Sequence, residues 1–155
     1  MSEPAEIHAV LIALARDSLL LPNVAVVETV PLEDLQAAVD APAWLAGHVQ
    51  REAQRLPVLR LERLNGDIGE PDLRRARVIV VKLPDPVDGL TAIGVLAQAY
   101  PHLVTLNRAA TRAEALRDSD RSDLVLARVR LGNQVCWIPD FGIVMAEIRT
   151  LSRAA

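Results

Sequence analysis

A single cysteine, Cys136, stands in the 155 residues, which rules out an intramolecular disulfide; it belongs to no Cys–His motif and reads as a buried structural thiol. Aromatic residues make up only 3% of the chain, with Trp44 and Trp137 the two large ones, so neither a platform for stacked bases nor an aromatic cage is on offer. Positive charge is not in surplus. Seventeen basic residues against 20 acidic ones give −3, and without a polybasic field no nucleic-acid partner is expected. Long apolar runs are missing as well: the longest, residues 9–15, is far below the roughly 20 needed to span a bilayer, so no membrane insertion is expected. Residues 1–6 are polar and acidic rather than a charged and then apolar leader, which makes the cytoplasm the plain expectation. His8, His48 and His102 have no second ligand at metal spacing. The scattered glycines form neither a phosphate loop nor a dinucleotide fingerprint, and Ser18 and Thr111 sit in no nucleophile motif. These absences point away from an enzyme and predict no metal and no cofactor.

What the chain has in quantity is aliphatic side chain. Hydrophobic residues reach 51%, and 155 residues suffice for a single domain, 1–155, with a real core. Residues 7–15 are apolar on both alternating sets, as in a strand covered on both faces, and 19–30 resume as a second strand interrupted at Pro22-Asn23. Pro31, Glu33 and Asp34 ahead of Leu35 and Val39 predict a short amphipathic turn or helix. Trp44 then opens a stretch of two short strands, followed by a helical turn over 60–64 that ends at Asn65-Gly66.

After a charged loop over 67–76, residues 77–83 form another strand, 84–89 a turn by composition, and 90–99 the returning strand. Residues 100–106 are ambiguous. Thr111 and Glu114 have the spacing of a capping box and predict a short helix over 111–117; 118–123 read as a solvated loop. Residues 124–131 and 134–138 flank Gly132-Asn133 as a last hairpin, and Pro139-Asp140 opens a terminal helix whose Phe141, Val144, Met145, Ile148 and Leu151 recur at three and four. Strand pairs thus come in two batches, about 7–66 and 77–151, suggesting two subdomains. Spacing alone would allow a sandwich.

The stretch from Trp44 to Gly66 resembles the CheW-like domain family, whose pattern is roughly Trp-x-x-Gly-Val-Ile-Asn-Leu-Arg-Gly-x-x-x-Pro-Val-Ile-Asp-Leu-x-x-Leu-x-Gly. Trp44, Gly47, Val49, Pro57, Val58, Leu61, Leu64 and Gly66 match without a gap; Gln50 stands for Asn and Leu59 for Ile. Val26-Val27-Glu28-Thr29-Val30 and Gly89-Leu90 also fit, so the resemblance runs over nearly the whole chain. The family's Arg-Gly pair is Glu52-Ala53 here, and its Val-Asp is Ala92-Ile93.

This resemblance implies a mainly β fold of two interlocked five-stranded β-barrel subdomains with short helices and a C-terminal helix. It also implies a non-catalytic adaptor coupling the signalling tip of a methyl-accepting chemoreceptor to the regulatory domain of a CheA-type histidine kinase, with other CheW-like proteins as further partners. An auxiliary member of the kind serving twitching motility (ChpC-like) is the expected subtype. Carried over by position, the partner-binding residues are Val26, Glu28 and Gly47, with Gln50, Glu52 and Ala53 as the altered loop. In relatives an acid at position 28 and the arginine of the Arg-Gly turn look like a salt bridge, but here two acids would meet. At 4 Å, with an effective dielectric near 20, they would repel by about 4 kcal/mol, so Arg51 or Arg55 must supply the counter-charge through a bulge or irregular turn, or Glu28 and Glu52 must stand apart in solvent. The alternatives are a small-ligand-binding or enzymatic β-barrel domain, and a CheW-like scaffold that has lost receptor coupling.

Overall fold

The computed structural model describes residues 6–153 and builds them into two six-stranded sheets and two α-helices. The strands are β1 (Ile7–Ala13), β2 (Ser18–Pro22), β3 (Val26–Pro31), β4 (Gln36–Ala37), β5 (Leu45–Arg51), β6 (Gln54–Leu59), β7 (Arg77–Val87), β8 (Leu90–Ala97), β9 (His102–Leu106), β10 (Thr111–Glu114), β11 (Val125–Leu131) and β12 (Gln134–Pro139). The helices are α1 (Leu61–Leu64) and α2 (Phe141–Arg153). The first sheet runs β10-β11-β12-β2-β1-β9 and the second β3-β7-β8-β6-β5-β4, each curled into a half-barrel. Both obey one plan: two antiparallel hairpins meet along a single parallel contact, β2 with β12 and β6 with β8, and the outermost strands are consecutive in the chain.

The two batches of strands are not the two sheets. Pro22 ends β2, a 3-10 turn at Asn23–Ala25 carries the chain across, and β3 pairs with β7 of the other sheet rather than extending β2. The first sheet therefore takes β1 and β2 from one end of the chain and β9 to β12 from the other, while the second is built from the middle.

The apolar alternation explains why both sheets are covered on both faces. In β7, Ile79 and Val81 enter a core shared between the sheets, together with Val10, Ile12, Leu19, Trp137 and α2, whereas Val78 and Val80 enter a second core inside the second half-barrel with Val49, Leu56 and Val58. Ala9, Leu20, Val129 and Cys136 fill the first half-barrel in the same way. Consecutive buried residues are thus divided between two cores, which is how an unbroken apolar run avoids exposing one of its faces. Helix α2 lies on the shared core through Val144 and Ile148, and Asp140 Oδ1 caps its first turn by accepting the Gly142 N–H at 2.8 Å.

Several local expectations change. The sheets have six strands rather than five because segments read as turn, helix or ambiguous are strands. The expected turn after Pro31 is present as a 3-10 turn (Leu32–Asp34), but the two-residue β4 follows it; residues 102–106 are β9; and 111–114 are β10, not a helix. Thr111 and Ala113 pair with Leu131 and Val129 of β11, and Glu114 holds Arg130 instead of capping a helix, so cross-strand packing overrides the local capping signal. The expected turn over 84–89 shrinks to Asp88-Gly89, both at positive φ as a two-residue hairpin requires.

Candidate partner-binding site

The open end of the second half-barrel carries the candidate site. Strand β5 turns into β6 through Glu52-Ala53, with Arg51 opposite Gln54, and across from this tip β3 brings up Glu28. A β-bulge places two residues of β3 against one step of β7: Val26 faces Val81 and Glu28 faces Val80, leaving Val27 unpaired. The bulge turns Glu28 toward the tip, where its Oε1 meets Arg51 Nε; Arg51 Nη2 also lies 3.8 Å from Asp34. The Glu28–Arg51 contact is close but lies outside hydrogen-bond angles, and both groups are partly exposed, so it counts as a surface ion pair of about 0.2–1 kcal/mol. Arg51 is thus the counter-charge of Glu28.

The tip is braced by side chains. Gln50 Nε2 donates to the Glu52 carbonyl at 3.3 Å, and Arg51 Nη1 to the Gln50 carbonyl at 3.1 Å. Gln54 Nε2 donates to the Gly89 carbonyl at 2.9 Å while its Oε1 accepts the Thr91 hydroxyl at 3.1 Å, tying the β5–β6 turn to the β7–β8 turn. Positive φ falls on Glu52, at 52°, and not on Ala53, so the alanine is unstrained in the place where the family pattern has glycine. Between the tip, β3, β7 and β8 lies an open groove of about 500 Å³, floored by Val27, Leu56, Val80 and Ala92 and edged by Glu28, Arg51, Glu52 and Lys82.

Of the residues singled out from the sequence, the structure brings Glu28, Gln50, Glu52 and Ala53 together and removes two. Val26 is turned inward against the shared core; its neighbour Val27, 52% exposed, is the one in the groove. Gly47 is buried under β4, away from the groove, and a Cβ there would come within 2.1 Å of the Gln36 carbonyl oxygen, so the β4–β5 pairing requires glycine at this position. Lys82, Thr91 and Ala92 were missed because they lie some thirty to forty residues beyond the tip in sequence, and only the pairing of β7 with β3 and of β8 with β6 brings them there. Val27 could have been found from the bulge that pairing Glu28 with Arg51 demands.

The loop over 118–123 is not merely solvated. The Asp120 side chain is buried, and Arg128 of β11, 2% exposed, clamps it with Nε and Nη2, both at 2.7 Å, while holding Asp17 of the β1–β2 turn at 2.9 and 3.2 Å. Asn65, just after α1, donates to Asp120 at 3.0 Å and accepts the Arg121 N–H at 2.7 Å, so the cluster ties the first sheet to the chain leaving the second. The Arg128 hydrogen bonds hold the Asp120 carboxyl well below its usual range, and the same bonds raise Arg128. Arg117 Nη1, 3.7 Å from Asp17, supplies the second positive charge, so the two arginines balance the two carboxylates.

Elsewhere, burial pushes the Cys136 thiol up to about 11, and its Sγ donates to the Val129 carbonyl at 3.4 Å; this is a packed thiol rather than a nucleophile. His48 is half-buried opposite Pro57, and burial lowers its pKa, followed by the charge of Arg55. Among the described residues no three His, Cys, Asp or Glu side chains converge as metal ligands, and no helix is long and apolar enough to cross a membrane.

Two half-barrels of one strand plan, sharing a core and carrying a braced charged hairpin at one open end, define a β-barrel scaffold with an apolar-floored groove. The model of the CheW-like domain matches residues 8–149, and the chain belongs to that family, a class of non-catalytic scaffold domains of chemosensory signalling. Among solved structures, the scaffolding protein TtCheW from Thermoanaerobacter tengcongensis is similar in fold, with a TM-score of 0.68 and 16% identity over 89% of this chain and 90% of that one. No curated protein sequence matches the chain.

Proposed function

We propose that the protein is a coupling adaptor that joins the signalling tip of a methyl-accepting chemoreceptor to the regulatory domain of a CheA-type histidine kinase, acting by binding alone. The kinase domain docks at the open end of the second half-barrel, on Val27, Glu28, Glu52 and Ala53, with Gln50 bracing the tip; the receptor's helical hairpin takes apolar surface between the half-barrels. Other CheW-like domains are further partners at the same kind of surface, the cytoplasm is the place of action, and an auxiliary role in a twitching-motility pathway is the proposed setting. The single observation that carries this reading is the braced hairpin tip over the groove. Its floor is aliphatic, the Glu28–Arg51 ion pair at its rim is internal, and among the described residues no nucleophile stands in it beside a base.

The test is a calorimetric titration of the protein with the regulatory domain of its own organism's CheA-type kinase, and then with the receptor tip, followed by NMR mapping. Saturable binding that shifts Val27, Glu28 and the 50–54 turn supports the adaptor; a folded sample that binds neither partner sinks it and turns attention to small ligands for the groove.

A further inference from the structure

We infer that the partner surface filling this groove presents a lysine or arginine to Glu52 and an aliphatic side chain to the floor formed by Val27, Leu56 and Val80. This rests on the docking reading above and adds the partner's chemistry. Glu28 is neutralised within the molecule by Arg51, whereas Glu52, on the same rim, has no ion-pair partner among the described residues. Its carboxylate is therefore the negative charge at the tip left free for an incoming group.

The turn that carries the carboxylate is braced. The Gln50 bond to the Glu52 carbonyl and the Gln54 bonds to Gly89 and Thr91 hold its backbone before any partner arrives, so the ordering left for contact is that of the side chain. Glu52 occupies a left-handed turn position, φ 52°, as Asp40 and Asp88 do at 53° and 50°. Lys82, on β7 at the same groove, likewise has no ion-pair partner among the described residues. The groove thus offers an apolar floor between one free carboxylate and one free ammonium. A complementary segment has an aliphatic residue between a cation and an acid, and a uniformly acidic segment would be repelled by Glu52.

The experiment uses the full chain and the regulatory domain of its own organism's CheA-type kinase in surface-plasmon binding from 50 to 500 mM salt. Circular dichroism and thermal melting establish that each variant is folded. Glu52→Gln is expected to weaken binding three- to tenfold, mainly in the association rate, and to flatten its salt dependence; Glu52→Arg is expected to weaken it more than tenfold. Changing the kinase domain's surface lysines and arginines singly to glutamate should yield one variant that binds Glu52→Arg better than it binds the wild type. Glu52→Arg binding within twofold of wild type, while Val27→Asp abolishes binding, would overturn the charge inference and leave the docking site standing. If the wild type does not bind, or Val27→Asp binds as tightly as wild type, the docking reading falls and this inference with it.

Discussion

Replacing Glu52 with glycine is expected to stabilise the protein, although it removes a charged residue and introduces the most flexible one. At φ 52° the glutamate Cβ crowds the following carbonyl, which costs about 1–2 kcal/mol that glycine escapes. Against this, glycine gives the unfolded chain freedom worth roughly 0.5–1 kcal/mol. Nothing else is lost in the fold: Glu52 makes no ion pair among the described residues, and the hydrogen bond it receives from Gln50 goes to its main-chain carbonyl. The net gain is about 0.5–1 kcal/mol, or about 1–4 °C in Tm for a chain of this size.

Ala53→Gly is the internal control. Ala53 is not at positive φ, so glycine there brings only the entropic loss and should destabilise by about 0.5–1 kcal/mol. Urea unfolding followed by circular dichroism, with the slope m unchanged, reads both differences as shifts in midpoint. The reasoning is refuted if the signs are reversed, Ala53→Gly stabilising and Glu52→Gly not, since the left-handed residue would then be the other one. By the charge argument, Glu52→Gly should also bind the kinase domain more weakly, so stability and affinity move in opposite directions at this residue.

Arg128→Met is expected to cost about 3–5 kcal/mol, because it leaves the buried Asp120 carboxylate without its counter-charge and Asp17 with only the more distant Arg117; denaturant unfolding measures it. The folded pKa of Asp120 lies below its ordinary value near 3.8, so the stability it contributes is complete above that value and is lost as pH falls from about 4 toward the folded value; Asp120→Asn should flatten the acid limb of the stability curve. Glu62 has the opposite sign. It is 2% exposed with one carboxylate oxygen unpartnered, and burial raises its pKa, so its neutral form is favoured in the fold and stability drains as pH rises through the folded value. Glu62→Gln should therefore be more stable than wild type at pH 7 and show no such gain near pH 4, as read by melting at the two pH values.

The strands that were legible in the sequence are those whose residues are apolar on every position or on alternate ones. β1, β7, β8, β11 and β12 all declare themselves, as does α2 through its stripe from Phe141 to Leu151. Those that were not legible owe their state to a partner strand. β10 carries a capping motif and becomes a strand because β11 lies beside it, and β4 exists only as two residues against His48 and Gly47. The crossing after Pro22 was hidden because an interrupted strand and a strand that changes sheet look alike in one dimension. At the site, the replacement of the Arg-Gly pair raised the right question about Glu28, and the bulge that answers it lies in β3 rather than in the hairpin. The Arg128 cluster left no local trace, since its members are Asp17, Asn65 and Asp120, and no spacing rule joins them.

The way the chain leaves the first sheet and returns to it imposes an order on synthesis. The second sheet spans β3 to β8 and can close once residue 97 has emerged from the ribosome. The β1–β2 hairpin, made first, has no such option, because the neighbour of β2 is β12, at Gln134–Pro139. Until those residues appear, Leu19, Leu20 and Leu21 form a bare, apolar strand edge, the kind that other nascent chains extend into aggregates. The slow step of maturation is then the capture of an early hairpin by a late one, and a pause in translation between about residues 30 and 134 should lower the yield of soluble protein more than a pause after 140.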